Sequence, residues 1–183
     1  MSLTETPVCN FGEKIKEFKL ISTEDTFISL KDIKGQNGTL IMFICNHCPY
    51  VKAVIKELVG VTNKISNFAI NSVAIMSNDA NNYPEDSFES MKKFSKINDF
   101  KFAYLYDETQ EVARNYGAVC TPDFFGYNKN NELQYRGRIR EMKNLKPTEG
   151  TNDLLSAMEL IAKTTKGPKQ QYPSMGCNIK WKK

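Results

Sequence analysis

Apolar residues run almost without a break through "TLIMFIC", Thr39 to Cys45, and then the rhythm changes. From Pro49 onward, Val51, Val54, Ile55, Leu58, Val59, Thr62 and Ile65 recur at helical spacing. The first pattern predicts a strand buried on both faces, and the second a helix laid against it, with proline suited to its first turn. The same alternation continues. "NSVAIMSN" and "FKFAYLYD" read as further buried strands. Helical patterns occupy the later part of "NDANNYPEDSFESMKKFSKI", with Pro84, Glu85 and Asp86 near its start, and "ETQEVARNYGA", ending at Gly117. "DFFGYNKNNELQYRGRI" predicts a hairpin turning at "NKNN", and "TNDLLSAMELIAKTTKG" an amphipathic helix closed by Gly167. Upstream, "EFKLIS" and "TFISLKDI" read as short strands before the turn "KGQNG"; the tail "PKQQYPSMGCNIKWKK" shows no regular pattern.

Strands alternating with helices imply an α/β fold with a central mixed sheet covered by helices on both faces. The chain is expected to be a single domain over residues 1–183, with a core at about 12–166, an N-terminal strand extension and an irregular tail at 167–183. Net charge is +4, from 25 Lys and Arg against 21 Asp and Glu, and the basic residues are dispersed, which argues against nucleic acid as partner. No apolar run reaches the roughly eighteen residues of a membrane span, and the N-terminal segment lacks a basic start followed by an apolar stretch. A cytosolic protein is therefore expected. The 5 cysteines do not read as a secreted disulfide framework, and in a reducing compartment a close pair is redox-active or metal-binding more often than structural.

That pair is Cys45 and Cys48, in "CNHC", at the predicted strand-to-helix corner. A sulfur there lies near unpaired N–H groups and the positive end of the helix dipole, both of which favour thiolate. Spacing of three allows a small disulfide ring, and His47, the chain's 1 histidine, adds positive charge when protonated. The plainer alternative is two buried, inert cysteines. Soft ligands from Cys45, Cys48, His47 and either Cys120 or Cys177 also suit Cu(I) or zinc, although no second close ligand pair completes a structural site. The second signal is "VCTPDFF": Pro122 stands at a strand start, where proline is tolerated, and Cys120 and Thr121 precede it.

Element order, together with "FICNHCPYVKA", "SNDANNYPEDSFESMKKF", "YDETQEVARNYGAVCTPDFF", "LQYRGRI" and "PSMGCNIKWK", resembles the thioredoxin-fold proteins of the peroxiredoxin-like branch, the alkyl hydroperoxide reductase/thiol-specific antioxidant family. The resemblance covers nearly the whole chain. It implies an attacking Cys45, a second Cys48 and a cis bond at Thr121–Pro122 that faces the pair and positions a partner. Ile44 and Asn46-His47 stand where thioredoxin has Trp and Gly-Pro, and Thr39 replaces its buried Asp; Ile41 and Cys45 fall where peroxidatic motifs carry Pro and Thr. Arg114, Arg136, Arg138 and Arg140 are candidates to activate a thiolate; the last three also fit an exposed, charge-protected strand edge. Cys177 would be a resolving thiol if the tail folds back, and Cys9 has no assigned role. The expected activity is thiol–disulfide exchange on a protein or small-molecule disulfide. It needs no organic cofactor, only a thioredoxin- or glutathione-type reductant. The alternative is a thiol peroxidase consuming peroxide.

Overall fold

The computed structural model describes residues 3–7 and 11–183; Cys9 lies outside them. The centre of the sheet is β4 (Gly38–Phe43), parallel to β5 (Ile70–Met76), which is parallel to β6 (Ala103–Tyr106). On the other side of β4, β8 (Asp123–Asn128) and β9 (Leu133–Gly137) form an antiparallel hairpin. Beyond β6 lie β2 (Lys19–Ser22) and β3 (Phe27–Ser29), giving the seven-stranded order β3-β2-β6-β5-β4-β8-β9. This is the mixed sheet the pattern predicts.

Alternation along β4 explains why its whole sequence is apolar. Leu40 and Met42 enter one core, with α2 (Pro49–Ser66), α3 (Phe88–Ile97) and α5 (Asp153–Thr164); Ile41 and Phe43 enter the other, with α1 (Leu30–Ile33) and α4 (Glu111–Tyr116). Every residue of the strand is buried, as a central strand covered on both faces requires. The buried stripe of α2 is Val51, Val54, Ile55, Leu58, Val61, Thr62 and Ile65, so Val61 rather than Val59 is the inward residue between Leu58 and Thr62. Among the described residues, no helix is long and apolar enough to cross a membrane.

Three local readings are corrected. "TFISLKDI" is strand only to Ser29; there Asp32 accepts from the Ser29 backbone N–H at 2.9 Å, a capping box that starts α1. α5 stops at Thr165, which holds φ 64°, before Gly167 is reached. Gly167 is required for another reason: a Cβ there would lie 1.8 Å from the Gln134 carbonyl oxygen. The tail is not irregular throughout, because β12 (Met175–Asn178) pairs antiparallel with β7 (Cys120–Thr121) on one side and β1 (Leu3–Glu5) on the other. A single short strand with Gly and Pro nearby carries too little periodicity to be read from sequence.

The α5 terminus yields a pair of opposite expectations. Thr165→Gly relieves a β-branched residue held at positive φ and should raise stability by about 1 kcal/mol. Gly167→Ala forces the Gln134 strand to shift and should lower it by about 2 kcal/mol. Urea denaturation of the two variants beside the parent checks both signs.

Candidate active site

The loop from Ile44 to Cys48 leaves the C-terminal end of β4 and feeds α2, with Cys48 at the N-cap and Pro49 in the first turn. It is held chiefly by one carboxylate. Asp86, fully buried, accepts from the backbone N–H of Asn46 at 2.8 Å and of His47 at 3.3 Å, from Asn78 Nδ2 at 2.7 Å, and pairs with His47 Nδ1 at 2.6 Å. Asn46 is fixed from its other side: Nδ2 donates to the Glu85 carbonyl at 3.0 Å and Oδ1 accepts from Tyr104 OH at 3.0 Å. The His47 ring stacks on Tyr83, centroids 5.6 Å apart.

Three sulfurs converge on Thr121, whose bond to Pro122 is cis. Cys45 Sγ lies 3.3 Å from Thr121 Oγ1 and 3.9 Å from His47 Nδ1. Cys48 donates to the Thr121 carbonyl at 3.1 Å. Cys177, on β12, sits opposite Thr121 in register and hydrogen-bonds to Cys48. So the tail does fold back over the site. Cys120 is close in sequence but differs in surroundings: its thiol is directed to the Pro122 carbonyl at 3.6 Å, and burial pushes its pKa up. Cys45, Cys48, His47, Thr121, Pro122 and Cys177 thus form one cluster, with Cys120 buried at its edge.

Charge is unevenly shared among the thiols. Hydrogen bonding from Cys45 brings the Cys48 pKa down to about 5 against the effect of burial, with help from Cys177 and the Val51 backbone amide at the helix start. Cys45 is raised well above an ordinary thiol, by burial first, then by donating to Cys48 and by the Asp86 charge. Cys177 is pushed up to about 12 by burial and by its bond to Cys48, opposed by Lys180. The direction favours charge at Cys48, at the start of α2, whereas the resemblance implies attack by Cys45. Cys48 caps α2, whereas Cys45 stands three residues before it, beside a carboxylate.

The arginines are engaged elsewhere. Arg136 is buried and bonds Asp123 at 2.9 Å and the Gly117 carbonyl at 2.8 Å. Arg138 pairs with Asp153 at 2.7 Å and Arg140 with Glu57 at 2.6 Å, while Arg114 lies over Trp181. Arg136 is thus no part of a solvated edge, while Arg138 and Arg140 are half-buried and line a cleft beside Pro122. Cys45, His47 and Asp86 do offer three ligand atoms within 4.8 Å, but the His47 nitrogen among them is already held at 2.6 Å by Asp86. A metal there would have to break that bond.

Asp86 is the residue that sequence reading passed over. "YPED" looked like acidic charge at a helix start, and nothing local signals that its last residue turns inward, 40 positions from the loop it holds.

The Asp86–His47 pair sets a pH dependence. The hydrogen bond and charge of Asp86 raise the His47 pKa above its ordinary value, and burial opposes this. Burial would raise Asp86, but its bonds from His47, Asn78 and Asn46 leave it lowered. Stability from His47 is fully present below its unfolded pKa of about 6.5 and is lost as pH rises through the higher folded value. Stability from Asp86 is present above about 3.9 and is lost as pH falls through its lower folded value. Asp86→Asn should cost about 2 kcal/mol near pH 6, with a smaller gap at pH 9. It should also lower the titration midpoint of the single histidine in proton NMR. Equal midpoints in parent and variant would contradict this account.

Comparison with known proteins follows the same lines. The AhpC/TSA family pattern matches residues 11–142. An uncharacterized conserved protein from Geobacillus kaustophilus is 40% identical with TM-score 0.95, over 100% of this chain and 97% of that one. The thioredoxin domain of a thiol-disulfide oxidoreductase from Bacteroides vulgatus is 15% identical with TM-score 0.59, over 70% of this chain and 89% of that one. A peroxidoxin from Mycobacterium tuberculosis is 14% identical with TM-score 0.60, over 83% and 94% respectively. No curated protein matches the sequence at a significant level. The two more distant structures share the fold, the family pattern spans most of the chain, and the protein belongs to the AhpC/TSA family, as a peroxiredoxin-like member with a thioredoxin fold.

Proposed function

We propose that this protein is a thiol–disulfide oxidoreductase in which Cys48 is the nucleophile and Cys45 its partner. One observation carries the reading: Cys48, the cysteine of lowered pKa, stands at the N-cap position of α2, with a second thiol hydrogen-bonded to its sulfur and the Thr121 carbonyl 3.1 Å away. The Cys48 thiolate attacks one sulfur of a substrate disulfide and expels the other as thiolate. Cys45 then attacks Cys48 in the mixed disulfide, its proton passing to the first leaving thiolate, and a second substrate thiol is released. The substrate disulfide gains two electrons and the Cys45–Cys48 pair loses them. A thioredoxin- or glutathione-type thiol returns the pair to the reduced state.

Charge at Cys45 matters only in the second step. His47 Nδ1 lies 3.9 Å from its sulfur, and Asp86 favours the protonated ring, which faces the negative charge that develops there. A cleft of about 250 Å³ beside Pro122 has apolar walls from Tyr50, Ile139, Met142 and Met175 and basic ones from Arg138 and Arg140, for the chain around a substrate cysteine. Both fit a disulfide carried on a peptide.

The family supports a second reading. Peroxide would take the Cys48 thiolate to sulfenic acid, releasing hydroxide, and Cys45 would condense with it, releasing water. What favours exchange is the second thiol at the spacing of a dithiol centre, with Ile41 and Cys45 where peroxidatic motifs carry Pro and Thr.

Thiolate absorbance at 240 nm should titrate with a midpoint near 5 in the parent and lose that step in Cys48→Ser. Insulin-disulfide reduction with dithiothreitol should fall at least about 1,000-fold in the same variant, in line with loss of a nucleophile. Peroxide consumption faster than disulfide turnover would favour the peroxidase. Full activity in Cys48→Ser would remove both readings.

A further inference from the structure

We propose that Lys180 makes this site selective for disulfides that carry a carboxylate close to their sulfurs. This rests on the dithiol reading, whichever of Cys45 and Cys48 attacks, and adds the substrate class.

Lysine is almost never buried without a group to balance its charge. Lys180 is only 7% exposed, yet among the described residues no carboxylate pairs with it. Its Nζ donates to the Asn178 carbonyl at 2.9 Å and to Asn178 Oδ1 at 2.8 Å, both uncharged. An ammonium has three donors, so one is left over. Nζ also lies 5.8 Å from the centre of the Tyr83 ring, inside the range at which a cation is attracted to an aromatic face. Tyr83 stacks on His47, and His47 Nδ1 is 3.9 Å from Cys45 Sγ. The charge therefore stands one ring away from the dithiol loop. Its field reaches the cluster from two sides, opposing protonation of His47 and favouring ionisation of Cys177, the neighbour of Cys48.

The backbone holds the ammonium in place. Lys180 N–H donates to Asn78 Oδ1 at 2.9 Å, and its carbonyl accepts from Asp79 N–H at 2.8 Å and Gln110 Nε2 at 2.7 Å. Gln110 Oε1 accepts from Lys182 N–H at 2.8 Å, and Trp181 between them lies against Arg114. Two buried amide side chains thus fix both polar groups of the residue, so its charge is preorganised.

The other charges nearby are already spent. Asp86 balances His47, Asp79 accepts from Asn81 N–H within its own turn, and Arg138 and Arg140 pair with Asp153 and Glu57. Lys182 acts on Asp79. A carboxylate brought in beside a substrate disulfide supplies the counter-ion that Lys180 lacks. A free thiolate, by contrast, repels such a disulfide, and that contrast gives the test its sign.

The reduced full chain is oxidised with three disulfides of similar size at low salt: dithiodipropionate, which is anionic, hydroxyethyl disulfide, which is neutral, and cystamine, which is cationic. Each rate constant is divided by that of free mercaptoethanol with the same reagent. The anionic-to-neutral ratio of the parent should exceed unity by about 10-fold, the lower end of electrostatic steering, with cystamine below unity. Lys180→Met should bring the ratio to unity, and Lys180→Arg should keep it. A ratio is read because a tail loosened by methionine changes all three rates together. Equal ratios in parent and Lys180→Met overturn the proposal and leave the dithiol reading standing; no reaction of the parent with any of the three overturns both. Oxidised glutathione and a peptide disulfide with glutamate beside its cysteine then separate the two sources of carboxylate. The one that slows in Lys180→Met is the substrate type, and if neither slows the proposal falls.

Discussion

A buried carboxylate needs compensation, and here that need organises the site. Asp86 cannot remain ionised at zero exposure without donors, and the donors it recruits are the backbone of the Cys-Asn-His-Cys loop, the histidine inside it and an asparagine from the end of β5. The chain between β4 and α2 is therefore fixed by electrostatics and not by packing alone. Its consequence reaches the sulfurs. The same negative charge that fixes the loop disfavours ionisation of Cys45, which leaves Cys48, at the helix start, to carry the thiolate. Polarity within the dithiol follows from where the carboxylate enters.

How much of this was legible beforehand depends on the range of the interaction. β4 and α2 announce themselves because periodicity is local and both faces of the strand are covered. The corner between them could be located for the same reason, and the cis Thr121–Pro122 followed from family resemblance rather than from sequence-local physics. The capping box at Ser29 and Asp32 was present in the letters and was overlooked, because the β-branched residues before it favoured strand. Asp86 and β12 could not be read at all. Each acts on residues far along the chain, and neither has a periodic signature. The arginines show the opposite error: alternation in sequence suggested a shared outward face, yet Arg136 turns into the core against Asp123.

Within the AhpC/TSA family the site combines two inheritances. Cys48 stands at the N-cap of a helix and is followed by Pro49, and the residue three places before it is another thiol. That thiol donates a hydrogen bond to the thiolate, so one group both lowers the pKa of its neighbour and stands ready to bond with it. A hydroxyl in the same place could do only the former. The difference between a sulfur that waits for an outside thiol and one that closes its own ring thus turns on one atom.

The pairing of β12 with β1 has a consequence for how the molecule is made. Leu3 opposite Cys177 joins positions almost the full length of the chain apart, and contacts of such separation are costly to close. The sheet corner bearing Cys45 and Cys48 is built from β4, α2 and β8, which meet over much shorter distances. During synthesis the dithiol is thus assembled before its cover emerges, and the newly made chain passes through a stage at which its most reactive sulfur is open to any oxidant nearby.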